Sequence, residues 1–568
     1  MKKILFCIFA IILASACSLK EHSFTEIEKD AYFKDAQQAQ TVLFGLYRDL
    51  TPDAMYGYHL SLYFTLGTDE AKVTGNTIEN YRNVPSNAYT STEDEVQNTW
   101  KALYSAIYDA NDFIERLSVA VNDFSASEKN LAAVYMAEAR TLRALFYFEL
   151  VRWWKNVSLI TSTADSKKHP STFVQTDPAE VYAFIENELK YAISVLPYAS
   201  DDPYRASNDF RISKGGAMGL LAKVYATWAG YPMLNTAKWE ECAKVCKTLV
   251  ESGKHSLLDN YEDLWKNSGS STWDPRESLI EVSFYSAAIT GNSSTDCSGR
   301  IGKWNGASIA EGAWPSGRAA ANWIVLPSFA KNWTDYNNDK RWALSMADYK
   351  YTVVNGQMVK DQLLKVTENG TQRPGYLTEA LPDGVSASFR KPFNNGITPA
   401  KWDIVKYETQ ANAVTDANLS NFNWYILRYA DVLLLYAEAL NEWQQGPTPD
   451  AFAAVNMVRR RGYGLPINTA SSLCDLDNSL AYEDFRQAVR DERAHELCFE
   501  GHRRQDLIRW GIYYETIRGA YQDLVNWHEN APDYYRIVDY TIKGKNELLP
   551  IPQREMDLME QYRQNPNW

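Results

Sequence analysis

Basic tracts are missing from this chain. Its 58 lysines and arginines face 71 aspartates and glutamates, a net charge of −13. An acidic chain without a basic stripe is a poor partner for nucleic acid or for an anionic membrane surface. Histidine is scarce as well, with seven in 568 residues, and none completes an H-E-x-x-H. No P-loop, dinucleotide fingerprint, nucleophile elbow or C-x-x-C pair occurs in a usable context. An enzyme would have to rely on carboxylates alone, and so many acids mark no particular pair for glycoside chemistry. The reading is a non-enzyme that needs no cofactor. Calcium has no D-x-[DN]-x-[DN]-G loop to support it. Cysteine is sparse too: outside Cys7 and Cys17 there are Cys242, Cys246, Cys297, Cys474 and Cys498. An odd set at irregular spacing is no disulfide framework. Cys242 and Cys246 share the apolar face of WEECAKVCKTLVESG with Trp239 and Leu249. With no further His or Cys near them, they read as core thiols rather than a metal pair. Beyond the N-terminus no run is long and apolar enough to cross a bilayer.

What the N-terminus does have is an export leader. Lys2 and Lys3 precede a short apolar run over 4–13, then Ala14-Ser15-Ala16 leads straight into Cys17. Small residues before a cysteine match a bacterial lipoprotein cleavage site. Residues 1–16 are then a signal peptide, Cys17 carries the lipid, and 17–30 is a polar tether. Two or more acyl chains anchor a protein stably where one does not. The alternative is ordinary secretion with cleavage before Cys17.

Helical periodicity fills the next stretch. Apolar positions at steps of three and four predict helices over 35–50, 100–117, 130–154, 177–196, 214–229 and 239–251. Asp177-Pro178 is a strong helix start. Small residues recur at Gly216, Ala217, Gly219, Ala222 and Ala226, as in helix pairs of the tetratricopeptide kind. From 268 to 420 the character changes. Gly, Ser and Asn rise, helical periods vanish, and Trp and Tyr stand in loop-like settings. A long irregular region in a globular chain usually carries function.

Residues 421–511 organise the rest. NFNWYILRYADVLLLYAEALNEW predicts a helix that is apolar almost all round, with Asp431, Glu438 and Glu442 on its remaining strip. Such a helix is buried. DAFAAVNMVRRRGYG predicts a second, ending at Gly462 and Gly464. FRQAVRDERAHELCFEGHRRQDLIRWG predicts a third, with Glu492, Glu496 and Glu500 four apart on one face. Bare carboxylates in a row repel, so the interleaved Arg490, Arg493, Arg503 and Arg504 point to a structural ion-pair network. A metal or acid/base site is the rival reading. Glu492-Arg-Ala-His495 gives only one E-x-x-H element, whereas a di-iron bundle needs two. The tail, YRIVDYTIKGKNELLPIP, predicts a short strand pair.

The motifs ILRYADVLLLYAEALNE, RDERAHELCFEGHRRQDLIRWG and LLPIPQREMDLMEQYRQNPNW, in that order, resemble the SusD/RagB family. These are surface lipoproteins of Bacteroidetes that hand nutrients to an outer-membrane transporter. The resemblance implies a mainly α fold, with tetratricopeptide-like helix pairs forming a superhelical scaffold packed against a loop-rich region with a few short strands. It implies an N-terminal helical region over 31–267, a ligand-binding region over 268–420 and a C-terminal helical region over 421–568. It also implies a SusC-like TonB-dependent transporter as partner, a glycan ligand, and attachment to the cell surface of the outer membrane through Cys17. A peptide- or protein-binding member of the same family is the alternative. Where the family has a Gly-x-Val-Pro-Leu turn, this chain has Lys155-Asn156-Val157-Ser158-Leu159.

No family motif carries a ligand residue onto a numbered position, so the candidates come from context. Sugar rings stack on aromatic faces while polar neighbours bind their hydroxyls. Tyr81 and Arg82 in one polar loop, and Trp273, Tyr285, Trp304, Trp314 and Trp323 in the loop-rich region, are the nominees.

Overall fold

The computed structural model describes residues 33–568 apart from 76, 286–296, 316, 334, 363–364, 369–370, 375–395, 410–413, 415 and 528–534. The leader, Cys17 and the tether lie outside the described residues. The chain is mainly helical, 52% helix against 8% strand, so its core is built by helix packing. No helix among the described residues is long and apolar enough to cross a membrane.

Helix α1 (Ala36–Arg48) starts where the Asp35 side chain accepts from the Gln38 backbone N–H. It buries Ala36, Ala39, Leu43 and Leu46, the face its spacing predicts. Next come α2 (Asp94–Ala120) and α3 (Ala126–Trp154), the latter opened by a reciprocal Ser125–Glu128 cap. Helix α4 (Pro178–Val195) uses Asp177 as cap, accepting from the Ala179 N–H, with Pro178 in the first turn. Helices α5 (Lys214–Ala229) and α6 (Lys238–Glu251) complete the row. Each of α2 to α5 packs on its successor, which is the arrangement of a helix-pair scaffold. Cys242 and Cys246 are buried between α5 and α6, where the Cys242 thiol donates to the Ala222 carbonyl at 3.3 Å.

Short strands stitch the loops to this scaffold. Among the described residues every sheet is two-stranded. Strand β1 (Ala71–Val73) pairs antiparallel with β3 (Trp323–Val325). Strand β2 (Ser278–Val282) pairs antiparallel with β6 (Trp424–Arg428). Between them β4 (Tyr349–Val354) and β5 (Gln357–Gln362) form a hairpin. Two glycines of α5 explain how the β2–β6 pair lies so near. A Cβ on Gly216 would sit 2.6 Å from the Leu279 carbonyl oxygen, and one on Gly219 would sit 2.6 Å from Leu427. These small residues therefore admit the strand pair and, at Gly219, Val432 of the helix that follows it.

Helix α7 (Lys340–Ser345) precedes the C-terminal helices α8 (Tyr429–Gln444), α9 (Pro449–Gly462), α10 (Tyr482–Leu497) and α11 (Arg503–Arg509). Three expectations are corrected here. The first helix begins only at Tyr429, because Trp-Tyr-Ile-Leu-Arg before it is β6. Aromatic and branched residues buried on both faces favour a strand over a helical turn. The third helix stops at Leu497. Phe499 and Gly501 take positive φ, 63° and 79°, so Glu500 sits in the turn before α11. The tail holds a single helical turn, Ile537–Tyr540, in place of a strand pair. Its buried residues Ile537 and Val538 are adjacent, not alternating, so no strand face is defined.

The polar strip of α8 is fully paired. Asp431 meets Arg493 at 2.7 Å, Glu438 meets Arg509 at 2.6 Å, and Glu442 meets Arg486 at 2.6 Å. Glu492, Glu496 and Glu500 enter a second network. Glu496 accepts from Arg341 and Arg428 at 3.0 Å each and from Arg461 at 2.5 Å. Glu492 binds Arg341 and Arg459, and Glu500 binds Arg428 and Lys401. Glu277 joins Arg428 and Arg461, and Asp339 joins Arg341. Burial alone would raise the Glu496 carboxyl; Arg461, Arg428 and Arg341 outweigh it and hold it at about 2.

The C-terminus seals the end of α3. The Trp154 indole donates to the Pro550 carbonyl at 2.9 Å, and the Asn565 amide donates to the carbonyls of Trp154 and Leu549 at 2.8 Å. Lys155, which ends α3, takes φ 62° and ψ −60°, and the Asn156 N–H donates to the Trp154 carbonyl at 2.7 Å. That is a γ-turn with positive φ, rare and strained for any residue with a Cβ.

Lys155→Gly is therefore expected to raise stability by about 1 kcal/mol, the strain relieved less the added freedom of the unfolded chain; an unchanged or lower urea midpoint would refute the strain. Removing one partner of a buried network leaves uncompensated charge. Glu496→Ala should cost about 3–5 kcal/mol. Glu483→Ala, at a side chain 71% exposed, should stay within about 0.5 kcal/mol. Equal midpoints for these two variants would deny the network its structural role.

Candidate functional site

Three loop segments converge beside α2 and the β1–β3 pair. The Arg300 N–H donates to the Gly57 carbonyl at 2.9 Å, the Thr74 N–H to Asn322 at 2.7 Å, and the Asn322 N–H to Trp304 at 2.5 Å. These bonds hold residues 53–58, 74–82 and 300–304 together, and with them a group of rings. Trp304 lies 4.8 Å from Tyr58 and 5.4 Å from Tyr81, centroid to centroid, the latter edge-on at 86°. Edge-on pairing of this kind is favoured by the ring quadrupoles. The Arg300 guanidinium covers Tyr58 at 4.6 Å and Trp304 at 5.0 Å. Arg82 covers Tyr81 at 4.4 Å, donates to its hydroxyl at 2.6 Å, and donates to the Thr74 carbonyl at 2.7 Å.

Tyr58 is the buried floor of this group, whereas Tyr81, Arg82, Arg300 and Trp304 are half-buried. Burial raises the Tyr58 phenol well above its usual range, so it stays neutral. The same burial lowers His59, behind it, to about 4. The Trp304 indole N–H is enclosed without an acceptor among the described residues. Rings fixed by cations and backbone bonds form a rigid, half-open platform, suited to a flat ligand with polar edges.

Of the sequence nominees, the fold thus joins Tyr81, Arg82 and Trp304. Trp323 stands in β3 opposite Val73 and is buried. Trp314 is half-buried in the turn between the bridged Ile309 and Ala319. Trp273 packs at 6.3 Å on Phe210, under the Arg205 guanidinium at 5.1 Å. Tyr285 is exposed and bridges Cys297, and the stretch between them lies outside the described residues. Tyr58, Arg300 and Asp53 were missed. Tyr58 sits in MYGYHLSLYF, whose apolar density reads as core.

The rival carboxylate site resolves differently. His495 lies flat on Trp333 at 4.3 Å and 8°. It borders a cavity of about 510 Å³ that also touches Asp69, Asp491, Arg503 and Asp523. Among the described residues no group of three or more His, Cys, Asp or Glu side chains is placed to hold a metal ion. Glu492 and Glu496 are occupied by arginines.

A SusD-family model matches residues 288–568, and a second model, starch-binding associating with outer membrane, matches 26–226. The crystal structure of a SusD homolog from Bacteroides thetaiotaomicron is 50% identical, covers 96% of this chain and 99% of its own, and superposes with a TM-score of 0.87. This chain belongs to the SusD family. SusD-like protein P25 of Formosa agariphila is 27% identical over 97% of this chain and 95% of that protein. The structure of a laminarin-binding SusD-like protein is 25% identical, covers 94% of this chain and all of its own, and has a TM-score of 0.66. Within this SusD-family fold, the ring platform draws on both matched regions, since Tyr58 and Tyr81 come from one and Arg300 and Trp304 from the other.

Burial lowers His495 to about 4, below the usual 6.5, with Glu492 opposing the shift. The unfolded chain then binds more protons between these values. The contribution to stability is full above about pH 6.5 and is lost as pH falls toward 4. His495→Phe should flatten the rise of stability over that window, read from urea midpoints at several pH values. A slope equal to that of the unaltered protein would mean His495 does not titrate there.

Proposed function

We propose that this SusD-family chain is a cell-surface lipoprotein. It captures an oligosaccharide or polysaccharide and delivers it to a partner TonB-dependent outer-membrane transporter. The observation that carries this reading is the platform of Tyr58, Tyr81 and Trp304 beneath Arg300 and Arg82. Pyranose rings have apolar C–H faces and a rim of hydroxyls. An aromatic face takes the first and a guanidinium edge the second. Burying such a face also needs little reorganisation, because the rings are already held.

Family membership, the laminarin-binding relative and the starch-binding description of the N-terminal model support a glycan over a peptide. The leader and Cys17 supply the anchor, which would place the protein on the outer membrane beside its transporter. Closing over the mouth of the barrel, the protein would hold ligand between the two and raise its local concentration. The chemistry asked of it is recognition and release, with no bond made or broken.

Titration calorimetry of the full chain in detergent against plant, host and microbial polysaccharides and peptides tests this. Saturable binding to a glycan should weaken by at least about tenfold, or 1.4 kcal/mol, in Trp304→Ala and in Tyr81→Ala. Glycan binding that survives both but falls in Trp273→Ala would move the site. A response to peptides alone would replace the glycan with a peptide.

A further inference from the structure

Each guanidinium on the platform arrives with its own carboxylate. Arg300 grips Asp53, Nη2 to Oδ2 at 2.5 Å and Nε to the two carboxylate oxygens at 3.1 and 3.2 Å. Arg82 has Glu79 at 3.8 Å. Asp53 and Glu79 thus offset the two guanidiniums they meet. Asp53 is no buried brace: its side chain is 43% exposed, against 24% for Arg300. It stands at the surface, next to the group a ligand would meet.

We infer that this site takes neutral glycans and turns away those bearing carboxylate or sulfate, and that Asp53 sets the choice. The inference rests on the platform being the glycan site. A sugar hydroxyl both donates and accepts, so one hydroxyl accepts from Arg300 while another donates to Asp53, and the ion pair stays intact. A uronate or sulfate only accepts. To take the Nε/Nη2 edge of Arg300 it must displace Asp53, and at the remaining Nη donors it lies beside a carboxylate of its own sign. Arginine forks suit anions well when unoccupied; here Asp53 already occupies the Nε/Nη2 edge. The chain as a whole, at −13, adds a field of the same sign.

Asp53→Asn keeps the shape and removes the charge. An exposed ion pair contributes little to stability, so the fold should survive. The full chain in detergent is applied to immobilised neutral polysaccharides (β-glucan, α-glucan, xylan, mannan) and acidic ones (polygalacturonate, alginate, a sulfated galactan). The unaltered protein should give signal on a neutral polysaccharide only, and Trp304→Ala should abolish it. Asp53→Asn should add binding to an acidic polysaccharide by about tenfold or more, and that added signal should fall as salt rises from about 50 to 500 mM. Trp304-dependent binding of the unaltered protein to an acidic polysaccharide would overturn the inference while keeping the site. So would an Asp53→Asn variant whose acidic signal does not change. Absence of any Trp304-dependent glycan signal would overturn the site itself, and the inference with it.

Discussion

Glu496 is fully buried and held by three guanidiniums that reach it from three distant stretches: Arg341 on α7, Arg428 at the end of β6 and Arg461 near the end of α9. Taking so many charges from water is expensive, and apolar residues of equal volume could match the net stability. What such a network fixes is register. A guanidinium fork satisfies its carboxylates in one geometry only, so each arriving segment has one place to stop. Lys401 and Arg341 bring in the loop-rich region, Glu277 brings in the start of β2, and α10 supplies Glu492 and Glu496 while the turn after it supplies Glu500. The loops are thereby tied to the helical body by directional bonds, where apolar packing alone would let them slide.

The aromatic platform is ordered by bonds of its own. Its rings lie on segments with little regular structure, yet each segment is bonded to another or to the β1–β3 pair. Rigid presentation matters more than the number of rings, because a sugar offers only modest stacking energy. A platform that had to be ordered on binding would lose much of that gain to entropy.

Much of the helical body was legible in the sequence, since 3.6-residue periodicity and caps are local signals. Asp177-Pro178 marked the start of α4 and the apolar faces of α1 and α6 were readable as written. Strand β6 was not legible: WYILR continues the apolar run of α8 without punctuation, and only its partner β2 makes it a strand. The break at Phe499 was hidden as well, because a positive φ at phenylalanine leaves no mark in the sequence. The carboxylate row does form an ion-pair network, but not with the arginines threaded through it: Arg493 goes to Asp431 and Asp506 and Arg503 to Asp69, while the row's partners are Arg341, Arg428, Arg459, Arg461 and Lys401 from elsewhere in the chain. At the candidate site, Tyr81, Arg82 and Trp304 stood out as aromatic and basic groups in polar loops. Their meeting, and the contribution of Tyr58, Arg300 and Asp53, depends on contacts across more than two hundred positions, which periodicity does not encode.

The seal on α3 has a consequence for how this chain acquires its structure. Trp154 and its neighbours are closed by Pro550, Tyr562 and Asn565, partners about four hundred residues downstream. Contacts of such span are slow to form, because the intervening chain must be brought into place first. The Trp154 end of α3 therefore lacks these partners until residues 550–565 have been made.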